Sequence, residues 1–96
     1  MKPIKLHKNF IKKRDKLVNS NTLSIEKIND TLDLFLEDPK NHKLRVHKIK
    51  CRVDKHRYSV TVLNTQYRIL YTSYKEVNLL VYIASHDEYQ RLNKNC

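Results

Sequence analysis

Five histidines, His7, His42, His47, His56 and His86, are the side chains of this 96-residue sequence best able to move protons near neutral pH. His47 lies in Lys43-Leu44-Arg45-Val46-His47-Lys48-Ile49-Lys50, among four cations. Like charges disfavour protonation, so a histidine in that company resists charging and can serve as a base. The same segment also reads as a solvated edge strand whose lysines block edge-to-edge pairing. On a strand, Arg45 and His47 share one face and Lys48 and Lys50 the other, unless a bulge or bend re-aims them. His86 follows an apolar run in Ile83-Ala84-Ser85-His86-Asp87-Glu88-Tyr89. A histidine at a strand end, with a tyrosine three residues later, is placed for acid–base work. The plainer alternative is a helix capped by Ser85 or Asp87, with solvent-exposed residues after it.

Arg68 stands in Gln66-Tyr67-Arg68-Ile69-Leu70-Tyr71, a strand rich in apolar and aromatic residues. A charge there is costly unless it is partnered. Either it pairs with an acid of the second helix, or it points from the open sheet face to bind phosphate bidentately. On that face its neighbours are expected to be Ser59, Thr61, Leu70 and Asn78. Metal chemistry fits poorly: there is no Cys-x-x-Cys or helical His-x3-His, and Cys51 and Cys96 lack zinc spacing. The chain contains no glycine, which excludes P-loops, dinucleotide-binding loops and EF-hands.

The elements that must carry these groups follow from periodicity. Pro3–His7 reads as a short strand. Phe10, Ile11, Arg14, Leu17 and Val18 recur at helical spacing from Asn9 to about Val18. Asn19-Ser20-Asn21 breaks that helix. Ser24 is a good cap for a second, whose stripe is Ile25, Ile28, Leu32, Phe35 and Leu36, and Asp38-Pro39 ends it. Beyond Pro39 the period becomes two. Tyr58–Leu63, Tyr67–Thr72 and Val77–Ala84 read as antiparallel strands, the last with Val77, Leu79, Val81 and Ile83 on one face. Leu44–Lys50 forms a further strand, its apolar residues out of phase as at a bulge or bend. The order β-α-α-β-β-β-β is α+β: a two-helix hairpin on a mostly antiparallel sheet of four to five strands.

Charge points to the partner. Twenty Lys+Arg against ten Asp+Glu leave +10, concentrated in Lys2–Lys16 and Lys40–Arg57, while the second helix is acidic. A hydrophobic share of 40% is enough for one folded domain, residues 1–96. Neither a membrane span nor a signal peptide is expected. Two cysteines make no disulfide framework, so a cytoplasmic location is expected. Small basic domains of this kind most often meet nucleic acid.

Four stretches in order resemble the RelE/ParE toxin superfamily: Leu44–Lys50, Tyr58–Val62, Tyr67–Tyr71 and Leu80–Tyr89. Within it they are most similar to the histidine-using RelE/StbE and YafQ-like mRNA interferases. The resemblance, which spans nearly the whole chain, implies the toxin of a type II toxin–antitoxin pair. Such a toxin is a metal-independent endoribonuclease that cleaves mRNA on the 70S ribosome, inhibits translation and is silenced by a cognate antitoxin. It implies catalytic roles for His47, Arg68, His86 and Tyr89, with Arg68 on the scissile phosphate and the two histidines as acid and base. Lys43, Arg45, Lys48 and Lys50 would track the RNA backbone, and no cofactor or metal is expected. Cys51 and Ala84 stand where relatives carry glycine, Tyr89 falls one place before the usual aromatic, and Ser59 and Thr61 replace the paired lysines of some branches. The rival readings are a ParE-like inhibitor of DNA gyrase, whose relatives generally lack the two histidines, and a non-catalytic basic RNA-binding module.

Overall fold

The computed structural model describes residues 2–94, so Cys96 lies outside the described residues. Its elements are β1 (Ile4–Leu6), α1 (Lys8–Asn19), α2 (Ile25–Glu37), a 3-10 turn (His42–Leu44), β2 (His47–Lys48), β3 (Arg57–Thr61), β4 (Tyr67–Ser73), β5 (Asn78–Ser85) and α3 (His86–Lys94). The five strands form one mixed sheet in the order β1-β5-β4-β3-β2. Only the β1–β5 pair is parallel. The expected α+β class and two-helix hairpin are present, and α3 is an addition to the expected order. Among the described residues no helix is long and apolar enough to cross a membrane.

Both hairpin helices start on a side-chain cap. The His7 ring nitrogen Nδ1 accepts the Asn9 amide at 3.0 Å, and Ser24 Oγ accepts that of Lys27 at 3.4 Å. Phe10 and Leu17 of α1, with Ile28 and Phe35 of α2, pack with Val60, Ile69, Tyr71, Leu80 and Ile83 of the sheet in the main core. Thr31, fully buried on α2, donates to the Lys27 carbonyl at 2.7 Å and accepts the Leu63 amide at 3.0 Å. Burial without a polar cost is achieved because both capacities of the hydroxyl are used. A second, smaller cluster of Ile49, Leu70, Ala84 and Tyr89 lies where α3 meets β4 and β5. Residues alternate between the clusters along β4, with Ile69 and Tyr71 in the first and Leu70 in the second.

Two expectations need correction. The face assigned to Val77, Leu79, Val81 and Ile83 is broken, because the register steps between Leu70 (opposite Tyr82) and Tyr71 (opposite Leu80). Val81 is the extra residue of this bulge, so Leu80 and Ile83 enter the main core while Val81 and Tyr82 pack on the second cluster. The expected strand Leu44–Lys50 is reduced to His47–Lys48. Leu44 closes the 3-10 turn, and Arg45 caps it in the left-handed region at φ 47°, ψ 46°. Without glycine, the left-handed positions among the described residues fall on Asn21, Asn64 and Arg45. Asparagine is suited to that region, whereas for arginine it costs roughly 1–2 kcal/mol. The bend expected in this segment therefore lies at Arg45, and it redirects the chain entering β2.

Candidate active site

His47, Ser59, Thr61, Arg68 and Tyr89 come together on the sheet face opposite α1 and α2. Register does the first part of the work: His47 is opposite Ser59, Ser59 opposite Leu70, Thr61 opposite Arg68 and Arg68 opposite Ala84. Tyr89 then arrives from α3, only 8% exposed, over the fully buried Ala84. A small side chain at 84 leaves the space this ring fills.

His47 has three partners. Its Nδ1 lies 3.1 Å from the Arg45 carbonyl oxygen, which can only accept, so this nitrogen carries the proton of the neutral ring. Its Nε2 is then the unprotonated nitrogen, 3.1 Å from the Tyr89 hydroxyl and 3.2 Å from Ser59 Oγ, either of which can donate to it. The left-handed turn at Arg45 thus presents the carbonyl that selects the tautomer. Tyr89 also meets the His47 ring edge-on, with centroids 6.3 Å apart.

Arg68 donates to Thr61 Oγ1 at 3.5 Å, and its guanidinium carbon sits 5.1 Å from the Tyr89 ring centroid. Stacking on the aromatic face orients the fork without consuming its charge. No ion pair of Arg68 occurs among the described residues. Of the two alternatives for this arginine, the structure has the open-face orientation, away from α2. Asn78, expected as a neighbour of Arg68, instead pairs with Ile4 and Ser73 and lines a separate cavity with Tyr58 and Tyr71.

The structure separates the remaining candidates. His86 is half-buried at the first residue of α3, and its Nε2 lies 3.2 Å from Gln90 Nε2. No hydrogen bond or ring contact joins it to His47, Arg68 or Tyr89 among the described residues. The capping alternative also holds, because Ser85 Oγ accepts the Glu88 amide at 3.3 Å. The four expected RNA-tracking cations divide between two clefts. Lys43 and Arg45 line one of about 600 Å³ that also includes Thr61 and Gln66. Lys48 and Lys50 line another of about 550 Å³. Among the described residues no group of three or more His, Cys, Asp or Glu is arranged to hold a metal ion.

Sequence reasoning placed Ser59 beside Arg68 but missed its hydrogen bond to His47, which depends on the β2–β3 register. It also missed the tie that holds α3. Lys13 Nζ of α1 lies 2.8 Å from Glu88 Oε2, which accepts the Tyr82 hydroxyl at 3.2 Å as well. The bond to Glu88 raises the Lys13 pKa against the opposing effect of burial. Burial would raise the Glu88 carboxyl, but Lys13 and Tyr82 hold it below its ordinary value. A depressed carboxyl contributes stability above its unfolded value, near 4.5, that is lost as pH falls through the folded value. A raised lysine contributes fully below 10.5, and loses that contribution as pH climbs past its folded value. Glu88→Gln is therefore expected to cost about 1 kcal/mol at pH 7 and to converge on the parent near pH 3, measured by urea unfolding across pH. A constant difference down to pH 3 would assign the tie to packing alone.

Fold and site together define an α+β protein with a histidine–tyrosine–arginine cluster on the open face of its sheet. That fold is the one shared by the RelE/YafQ-type toxins, as the sequence resemblance implied. YafQ from E. coli has 13% identity with this chain, a TM-score of 0.71, and coverage of 91% of this chain and 96% of its own. A chain of the E. coli DinJ–YafQ complex gives 13% identity and a TM-score of 0.72 over 91% of this chain and 96% of its own. A metal-bound toxin from Helicobacter pylori is 22% identical, with a TM-score of 0.72 over 92% of this chain and 98% of its own. No protein-family model and no curated protein sequence matches the chain.

Proposed function

We propose that this protein is the toxin of a toxin–antitoxin pair and acts as an endoribonuclease on mRNA at the ribosome, inhibiting translation. The observation that carries the reading is that Tyr89 gathers a hydrogen-bonded His47 and an Arg68 with no ion pair among the described residues, flanked by two basic clefts. Its fold neighbours support it: they are toxins, one of them in a complex with DinJ. The domain, residues 1–96, would act in the cytoplasm, with a cognate antitoxin as its second partner.

In the reaction, the RNA 2′-oxygen attacks the adjacent phosphorus and the P–O5′ bond breaks. The products are a 2′,3′-cyclic phosphate and a 5′-hydroxyl. His47 Nε2 takes the 2′-proton, helped by the tautomer that the Arg45 carbonyl imposes. Arg68 offers two parallel N–H donors to the phosphate oxygens, whose negative charge grows in the pentavalent transition state. His86 is the candidate acid for the leaving 5′-oxygen, and Tyr89 orients both His47 and Arg68. Lys43, Arg45, Lys48 and Lys50 bind the flanking phosphates.

The test is in vitro translation of a defined mRNA with the purified protein, followed by mapping of RNA ends. New 5′-hydroxyl and 2′,3′-cyclic phosphate ends are expected, and His86→Ala should slow their appearance by about 10²-fold or more if His86 supplies the proton. Intact mRNA, with loss of DNA gyrase supercoiling instead, would replace this reading by gyrase inhibition. Intact mRNA that is merely bound would leave a non-catalytic RNA-binding module.

A further inference from the structure

The cavity that Asn78 shares with Tyr58 and Tyr71 lies on the helix side of the sheet, and the proposed reaction makes no use of it. Its volume is about 380 Å³, within the range of small-ligand sites. Three aromatic rings build its wall. Tyr58 and Tyr71 stack with centroids 5.5 Å apart, and Phe35 of α2 meets Tyr71 at 5.0 Å. Phe35 and Tyr71 are buried in the main core, which anchors this wall. Burial, with Tyr58 beside it, pushes the Tyr71 hydroxyl up to about 12, so the wall is uncharged at neutral pH. Polar groups then converge on the cavity at two depths. The Asn78 carboxamide makes no hydrogen bond among the described residues, and its Oδ1 is buried without a partner. Turning that amide towards the cavity breaks no bond and relieves an unpaired acceptor. At the mouth stand Lys2 and Glu37, both exposed. Among the described residues they form no ion pair with each other. Lys2 Nζ instead donates to Ser73 Oγ at 2.8 Å, which leaves two of its three N–H donors. Glu37 ends α2, whose last turn holds no basic residue, so nothing within the helix neutralises it.

We infer that this cavity binds a free amino acid as its zwitterion, one whose aromatic side chain carries an N–H donor. The ring packs on the aromatic wall, and its N–H reaches Asn78 Oδ1. The α-carboxylate meets Lys2 and the α-ammonium meets Glu37. One cation and one anion at a single mouth match a zwitterion, whereas a ligand with one charge leaves a rim group unused. The same side chain within a polypeptide carries neither charge, so the rim favours the free amino acid over a partner protein. This site is separate from the candidate nuclease centre, and neither reading stands or falls with the other.

The probe is L-tryptophan, titrated into the full chain and followed by heteronuclear amide NMR, which reads the Asn78 side-chain amide directly. Saturable shifts are expected there, with a Kd of about 0.1–1 mM for a ligand of this size. Benzothienylalanine has the same shape without the N–H and should bind about tenfold more weakly. Tryptamine lacks the carboxylate and indole-3-propionate lacks the ammonium; each should lose about two- to fivefold, as exposed ion pairs do. Variants assign each contact. Asn78→Ala should bind tryptophan no better than benzothienylalanine, Lys2→Ala should no longer prefer tryptophan to tryptamine, and Glu37→Gln should no longer prefer it to indole-3-propionate. Should Asn78→Ala fail to fold, the analogue series on the parent still decides. No saturable shift up to about 10 mM, ten times the weakest Kd expected, would overturn the inference. N-acetyltryptophanamide, which has neither charge, would overturn it by binding as tightly as tryptophan, and would assign the cavity to a partner's side chain. Any other analogue that matches tryptophan on the parent removes the contact it tests, and the inference with it.

Discussion

His47→Ala is expected to lower the rate of mRNA cleavage by about 10²–10⁴-fold, the usual contribution of a positioned general base. The imidazole is exposed, so its loss removes little core packing and the fold should survive, with thermal unfolding within a few degrees of the parent. The chemical argument lies in its two nitrogens. One is tied to the Arg45 carbonyl at 3.1 Å, and the other faces Tyr89 at 3.1 Å and Ser59 at 3.2 Å. A neutral ring in that setting keeps the lone pair on Nε2, where it accepts from Tyr89 or Ser59 until a substrate hydroxyl would take their place. His47→Gln separates basicity from hydrogen bonding, because the amide can still occupy the site but cannot take a proton at neutral pH. It should therefore be nearly as slow as the alanine variant. Tyr89→Phe removes one of the two hydroxyls on Nε2 but leaves the ring under Arg68, and should lose far less. Single-turnover rates measure all three. A glutamine variant as fast as the parent would remove His47 from the chemistry.

Arg68→Ala should lower the same rate by about 10²–10³-fold, since in the proposed reaction it would delete the donor set for developing phosphoryl charge. Arg68→Lys should recover little of that loss. A lysine keeps the charge but has no planar fork to stack on Tyr89 or to bridge two phosphate oxygens. The guanidinium holds Thr61 at 3.5 Å and Tyr89 at 5.1 Å, so its orientation is set before substrate arrives. Preorganisation of this kind spares the transition state the cost of ordering the side chain. Because in the proposed reaction the same cation would also meet ground-state phosphate, KM should rise along with the fall in kcat. A rise in KM with kcat unchanged would make Arg68 a binding residue only.

Much of this arrangement was legible from residue order. The stripe Ile28–Phe35, the Ser24 cap and the Asp38-Pro39 stop specify α2 by local physics, and the alternation in β3 and β4 specifies two faces of the sheet. Arg68 among apolar neighbours already demanded a partner or an open face. The C-terminal helix was less legible, because its mean hydropathy is low and Ser85 reads equally as a strand end or a cap. The run Asn78–Ser85 misled for a different reason. Alternation presumes an unbroken pleat, and the extra residue Val81 reverses its phase halfway along.

The sequence by itself determined the two helices of the hairpin, the strand pairings joined by short turns, the basic character and the types of the chemical groups. These depend on contacts a few residues apart, where capping, periodicity and turn chemistry are strong. Tertiary structure alone decided which groups meet. His47 and Tyr89 are 42 positions apart, and three features that regular local structure does not supply lie in the segments that bring them together. These are the left-handed Arg45 that aims β2, the bulge at Val81 that shifts β5, and the Lys13–Glu88 tie that helps hold α3. Each is fixed by packing and hydrogen bonding between distant segments, whose free energy does not reside in any local stretch of chain.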